Sequence, residues 1–434
     1  MGLSLVALLL LPALTLFEYA CSPHFRSTIL PVIVRHGTLY DVLAIIKYVL
    51  LLTPQRCVRL LGKLLACQAP ACQRQPQTVF IIGLPRSATS HIHDCLIRAC
   101  DGKASACVFL DNLFPTQSLQ RVLRPLVRLV SHSLAGRYSS NHHHLETDEW
   151  DEEDQVLLHR WHNLWIHAFL SKHVNGVIAH SKTISIMDYD DDDLPWIDEC
   201  IRAICARDGT SLFIGKPVAT SPEYARYARH FSDSKFVVCW RHPLAQLVSM
   251  YSLFETLEFF EPHTTDQIII REHMATRYEL ILELKAKHAN DPRFEFMPFE
   301  QWVASPAACA RRVCEAFGLP CASNAEDLMR VNREKKGSDA AAALRREKAI
   351  EIIRMDWDTR WKPIFEELGF DAREVWRATP TSHLEDNAAA ARHRAQRGVC
   401  HEWGSAFRTV ALLVLFAAAS IQGLGAISLA TLEL

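Results

Sequence analysis

Residues 80–96, FIIGLPRSATSHIHDCL, constrain this chain more than any other stretch. An apolar, β-branched run ends in a turn carrying Gly83 and Pro85, and a helical pattern opens near Ser87. A buried strand that feeds a helix through a tight turn aims backbone N–H groups and the positive helix end at one point. Such a point holds phosphate or sulfate. In the nucleotide loop G-x-x-x-x-G-K-[ST] a lysine reaches the terminal phosphates. Here the register from Gly83 ends in Ala88, Thr89 and Ser90, so that lysine is missing. Arg86 lies inside the loop instead, a fork-shaped donor suited to phosphate-type oxygens. The bland alternative is an ordinary strand–turn–helix junction with Ser and Thr caps.

A second junction has the same form. FVVCWRHPLAQLVSMY (236–251) places Arg241 just past a strand and Ser249 on the helix that Pro243 opens. Together these two side chains can donate to a second phosphate. Taken singly they would be a surface arginine and a helical serine.

Around these junctions residues 78–371 read as one α/β body, a P-loop-like three-layer fold with a central, mainly parallel sheet. Strands are predicted at 78–84, 211–217, 234–243 and 293–302, and helices at 90–100, 155–173 and 271–288. A further helix follows Ser305 and stops near Gly318. The acidic run DYDDDDLPWIDECIRAIC (188–205) lacks the glycine of a calcium loop, with Asp193 in its place and Pro195 beyond. It predicts an acid-capped helix burying Leu194, Ile197, Ile201 and Ile204.

Charge excludes one class. With 47 Lys and Arg against 49 Asp and Glu, the chain lacks the basic excess of a general nucleic-acid binder. The 14 cysteines form no paired C-x-x-C motifs, so no zinc ribbon is indicated. The adjacent His142, His143 and His144 cannot all face one metal from a regular element.

Three apolar stretches point to membranes. Residues 1–60 hold two of them, 3–17 and 41–54, the second interrupted by Lys47 and read as an amphipathic helix on a membrane or on the body. Residues 379–408 read as a linker. Residues 409–432 then run without charge for about the length of a bilayer span and predict a transmembrane tail. Arg392, Arg394, Arg397 and Arg408 precede the tail, which favours a cytosol-facing body, and no N-x-S/T sequon marks a lumenal surface.

Over 78–371 the chain resembles the P-loop-related sulfotransferases that use 3′-phosphoadenosine 5′-phosphosulfate (PAPS), in particular the branch whose loop reads G-x-P-R-S-G-T-T. The resemblance implies that Pro85, Arg86, Ser87, Ala88, Thr89 and Ser90 form the donor loop, with Arg86, Ser87, Thr89 and Ser90 on the 5′-phosphosulfate. It likewise implies Arg241 and Ser249 on the 3′-phosphate. Two departures stand out. Ser90 replaces a threonine and keeps the hydroxyl. Ala88 replaces a glycine, and its methyl works against positive φ and close backbone approach.

The resemblance also suggests catalytic roles. Asp111 matches an acidic position after the first helix and is the leading base candidate, against a plain turn or cap aspartate. Lys216, in GKP, would stabilise the leaving phosphate. Val218 stands where cytosolic relatives place a histidine close after that lysine. His144, in a polar loop, is a further acceptor-side candidate, and 331–338 reads as a solvated basic loop, with a basic element near the nucleotide as the reading the resemblance implies. The expected activity is sulfuryl transfer from PAPS to a hydroxyl or amine, without metal, at a Golgi or other secretory-pathway membrane. The tail tilts the acceptor towards a glycan or lipid. A P-loop kinase and a non-catalytic membrane scaffold are the alternatives.

Overall fold

The computed structural model describes residues 26, 29–46, 75–84, 86–108, 111, 170–171, 173–174, 177, 193–217, 227–257, 271, 274–322 and 340–377. Helix α1 (Leu30–His36) and a helical run over 39–46 precede the main body. In the body, β1 (Gln77–Gly83) leads into α2 (Thr89–Ala99), and α3 (Asp193–Asp208) leads into β2 (Leu212–Gly215). Next come β3 (Lys235–Trp240), α4 (Pro243–Leu257), α5 (Ala275–His288) and β4 (Phe294–Pro298). The helices α6 (Phe299–Ala304), α7 (Pro306–Phe317), α8 (Ala340–Met355), α9 (Lys362–Leu368) and α10 (Arg373–Arg377) complete the described chain.

The four strands form one parallel sheet in the order β2-β1-β3-β4. Parallel strands carry helices on both faces, so their sequences read as unbroken apolar runs. Each strand splits its side chains between two cores. Phe80, Ile82, Phe213, Phe236 and Val238 point to one face, where they share a core with residues of α3, α4, α5, α8 and α9. Val79, Ile81, Ile214, Val237 and Cys239 point to the other, with α2, α7 and Trp302. Burying a large apolar side chain contributes about 1.5–3 kcal/mol.

The sheet order fixes where a ligand can sit. From β1 the chain moves to β2 on one side, and from β3 to β4 on the other. Ligands of open α/β sheets bind beyond the carboxyl ends of the strands at such a reversal. Here the reversal lies between β1 and β3, where Gly83 pairs with Cys239.

One expected element is shorter than its sequence pattern. The run 293–302 alternates like a strand, yet β4 stops at Pro298 and α6 starts at Phe299. Proline has no N–H with which to extend a ladder and its φ suits the entry to a helix. The helix after Ser305 ends as expected, with Gly318 at φ 64° and the Leu319 N–H on the Cys314 carbonyl. Among the described residues no helix is long and apolar enough to cross a membrane. The predicted tail at 409–432, the run 3–17, the loop holding His144, the element at 331–338 and nearly all of the predicted helix 155–173 lie outside the described residues.

Candidate active site

The turn after β1 is held tightly from within. The Ser87 N–H and hydroxyl both donate to the Leu84 carbonyl, at 2.9 and 2.7 Å. Behind the turn, a Cβ on Gly83 would meet Cys239 Sγ at 2.5 Å, Ser87 Oγ at 2.6 Å and Thr89 Cγ2 at 2.7 Å. Only glycine fits there. Burial pushes the Cys239 thiol up to about 12, so it packs as an apolar group beneath the turn.

Ala88 corrects an expectation. Its methyl was expected to keep it from positive φ, yet it lies at φ 65°, and Arg86 lies at φ 68°. Two left-handed non-glycine residues within three positions are unusual, and such strain concentrates at functional sites. Ala88 caps α2 without a side-chain hydrogen bond, while its carbonyl receives the His91 and Ile92 N–H groups. A helix start leaves its first N–H groups outside the helical ladder. Those of α2 therefore face the end of the sheet.

Three cations border this turn. Arg86 Nε donates to Ser249 Oγ of α4 at 3.0 Å. Arg241, directly after β3, places its guanidinium 5.0 Å from the centre of the Phe299 ring. Burial, and then the charge of Arg241, lower the Arg86 pKa. Burial also lowers that of Arg241, against opposing influences from Glu300 and Tyr278. Two partly desolvated like charges that feel each other favour an anion between them. Lys216, at the end of β2 and 5% exposed, donates from Nζ to Ser90 Oγ at 3.1 Å. The carboxyl ends of β1, β2 and β3 thus each supply one cation.

The structure brings together Arg86, Ser249 and, through its charge, Arg241. It separately joins Lys216 to Ser90. Pro85 and His144 lie outside the described residues. Sequence reasoning missed the support behind Arg241. The buried Tyr278 hydroxyl donates to the Arg241 carbonyl at 2.6 Å and also meets the Gln246 side chain. Phe299 and Tyr278 are 58 and 37 residues from Arg241, so no local pattern marks them.

Asp111 is held elsewhere. It is fully buried, with one carboxylate oxygen receiving Arg207 Nη1 of α3 and the other the Val108 N–H at 3.0 Å. Burial opposes the charge on Arg207, but hydrogen bonding to Asp208 and the charge of Asp111 raise its pKa overall. Beside this pair lies a cleft of about 390 Å³, lined in part by Arg98, Ser105, Arg207 and Asp208. Among the described residues no group of three or more His, Cys, Asp or Glu side chains is arranged to hold a metal.

Two solved structures share the fold. The sulfotransferase STF9 from Mycobacterium avium superposes with a TM-score of 0.57 at 14% identity, covering 80% of this chain and 95% of that chain. The sulfotransferase STF1 from Mycobacterium tuberculosis H37Rv gives a TM-score of 0.50 at 18% identity, over 70% of this chain and 84% of that chain. No curated protein matches the sequence. The sequence model of the sulfotransferase family matches residues 76–323, which is more than half of the chain and includes all four strands with the loops after β1, β2 and β3. The chain belongs to the sulfotransferase family.

Proposed function

We propose that this protein transfers a sulfuryl group from PAPS to a hydroxyl or amine of an acceptor. One observation carries the reading: the loop after β1 and the helix after β3 meet through Arg86 and Ser249 at 3.0 Å. Anion sites on adjoining elements can grip two ends of one small nucleotide. The residues present fit such a donor. Arg86, Arg241 and Lys216 gather positive charge at the strand ends, and a PAPS molecule offers a 3′-phosphate and a phosphosulfate to meet it.

Bound PAPS would supply the sulfonate and the adenosine bisphosphate leaving group. The chain's own part is positioning and charge. Arg86 and the start of α2 face the phosphosulfate end, with Ser87, Thr89 and Ser90 offering hydroxyls. Arg241 and Ser249 hold the 3′-phosphate, with the Phe299 ring against the Arg241 guanidinium and the Tyr278 hydroxyl holding its backbone carbonyl. Lys216 steadies negative charge that grows on the departing phosphate. Asp111, engaged by Arg207, anchors the chain beside β2, and we assign it no proton transfer. His144 is kept as the acceptor-side candidate. We further propose that residues 409–432 anchor the enzyme in a Golgi or other secretory-pathway membrane, with a glycan or lipid as acceptor.

Purified protein incubated with sulfur-labelled PAPS and membrane extracts tests the activity. Labelled glycan or lipid product that disappears with Lys216→Ala is expected. Absence of transfer to every acceptor class, with the nucleotide still bound, would overturn the enzymatic reading.

A further inference from the structure

The N-terminal helices expose apolar side chains in a regular pattern. Along the run 39–46, Asp41, Ala44 and Ile45 are buried. The opposite side carries Leu39 at 74% exposure, Val42, Leu43 at 55%, and Ile46. Their spacing of i, i+3, i+4 and i+7 makes one helical stripe. On α1, Leu30 and Val34 (75% exposed) add a second pair at i and i+4. A helix that is apolar on both sides has only half of its apolar surface covered by its own domain.

The position of this element is fixed from the buried side. Asp41 accepts the Thr38 N–H at 2.9 Å, the Thr38 hydroxyl at 2.8 Å and the Ser171 N–H at 2.7 Å. Burial works against its charge, but these hydrogen bonds prevail and lower its pKa. The turn between the two helices is therefore clamped to the backbone at Ser171 while the stripe is exposed.

Charge identifies the occupant. Between Glu18 and Asp94 the only carboxylate is Asp41, which is 0% exposed. The same stretch holds Arg26, Arg35, Lys47, Arg56, Arg59, Lys63 and Arg74 besides the donor-loop Arg86. In a chain whose cations and anions otherwise nearly balance, this is a strong local excess. Exposed leucines in a stretch of sequence rich in cations and free of exposed carboxylates match an anionic lipid surface. Apolar groups enter the acyl boundary while Lys and Arg meet the headgroups.

We infer that helices 30–36 and 39–46 form an in-plane docking surface for an anionic bilayer, with Leu39, Leu43 and Val34 as the inserted side chains. The surface lies flat on one leaflet and does not span it. The inference stands apart from the sulfotransferase reading and from the proposed tail anchor.

Flotation of the full chain with vesicles tests it, in a background where Leu413→Arg and Phe416→Arg disable the apolar tail. The probes are phosphatidylcholine vesicles, alone or with about 30% phosphatidylserine. Binding to the anionic vesicles should exceed binding to the neutral ones by about tenfold or more, and weaken as salt rises. Leu39→Ser with Leu43→Ser should lower it by about tenfold or more and leave the melting temperature unchanged, because both side chains are exposed. Unchanged flotation of that double variant would overturn the proposal. So would a fall in self-association with flotation intact, which would give the face to a second copy of the chain.

Discussion

Arg86 Nε donates to the Ser249 hydroxyl at 3.0 Å, so the turn after β1 is tied to the helix that follows β3. The two residues are far apart in sequence and adjoin because β1 and β3 pair in parallel. Burial, and then the charge of Arg241 that the same pairing brings close, lower the Arg86 pKa.

Adenosine 3′,5′-bisphosphate should therefore stabilise the protein. At 100 times its dissociation constant the gain is about 2.7 kcal/mol. Arg241→Ala should weaken binding by about 1.5–3 kcal/mol, the scale of a hydrogen bond to a charged group. Arg86→Ala combined with Ser249→Ala should cost less than the sum of the single changes, because the two side chains touch. Calorimetric titration of the four variants checks this. Strict additivity would separate the two residues energetically.

Lys216 tests the chemistry apart from binding. Buried beside Ser90, it is placed for charge that develops only as the donor breaks. Lys216→Ala should lower kcat by about 100-fold or more, and change bisphosphate affinity far less. Ser90→Ala should give a milder loss, since Lys216 then lacks one positioning contact. Pre-steady-state turnover with labelled donor measures both. Equal losses in affinity and kcat would make Lys216 a binding residue only.

The strands were legible because parallel strands buried on both faces keep unbroken apolar runs. The patterns at 211–217 and 234–243 contain the observed β2 and β3, and 78–84 covers β1 except for its first residue, Gln77. The caps were legible too, as at Gly318. Relationships between distant segments were not. Nothing near Asp111 announces Arg207, 96 residues on, whose guanidinium takes its carboxylate. Nothing near Arg241 announces the Tyr278 hydroxyl beneath it. The alternation of 293–302 misled for a local reason: Phe294 and Phe296 keep the strand period, but Pro298 ends the ladder and Phe299 opens a helix.

Backbone strain in the donor loop gives a stability prediction. Ala88 at φ 65° costs about 1–2 kcal/mol relative to a residue free of Cβ. Ala88→Gly should recover about 1 kcal/mol, less the entropy that glycine adds to the unfolded chain. Gly83→Ala should act in the opposite direction, because its Cβ has no room against Cys239, Ser87 and Thr89. Thermal melts of the two variants decide the matter, and a destabilised Ala88→Gly would contradict the strain assigned here.

Asp111 separates an anchor from a base. Removing one partner of a buried ion pair leaves the other uncompensated, at about 3–5 kcal/mol when nothing else can help. Arg207 retains Asp208, at 2.6 Å from Nε, so the loss for Asp111→Ala should fall to about 2–3 kcal/mol. Arg207→Met should cost more, towards about 3–5 kcal/mol, because the fully buried Asp111 loses its cation. Asp111→Leu with Arg207→Met should cost less than the two single changes together, because no lone charge remains buried. Turnover per folded molecule should stay within about threefold in the Asp111 variants, because its two oxygens are engaged by Arg207 and the Val108 N–H. Full stability in Asp111→Asn combined with a 100-fold loss of kcat would return Asp111 to the role of base and would require Arg207 to release it during turnover.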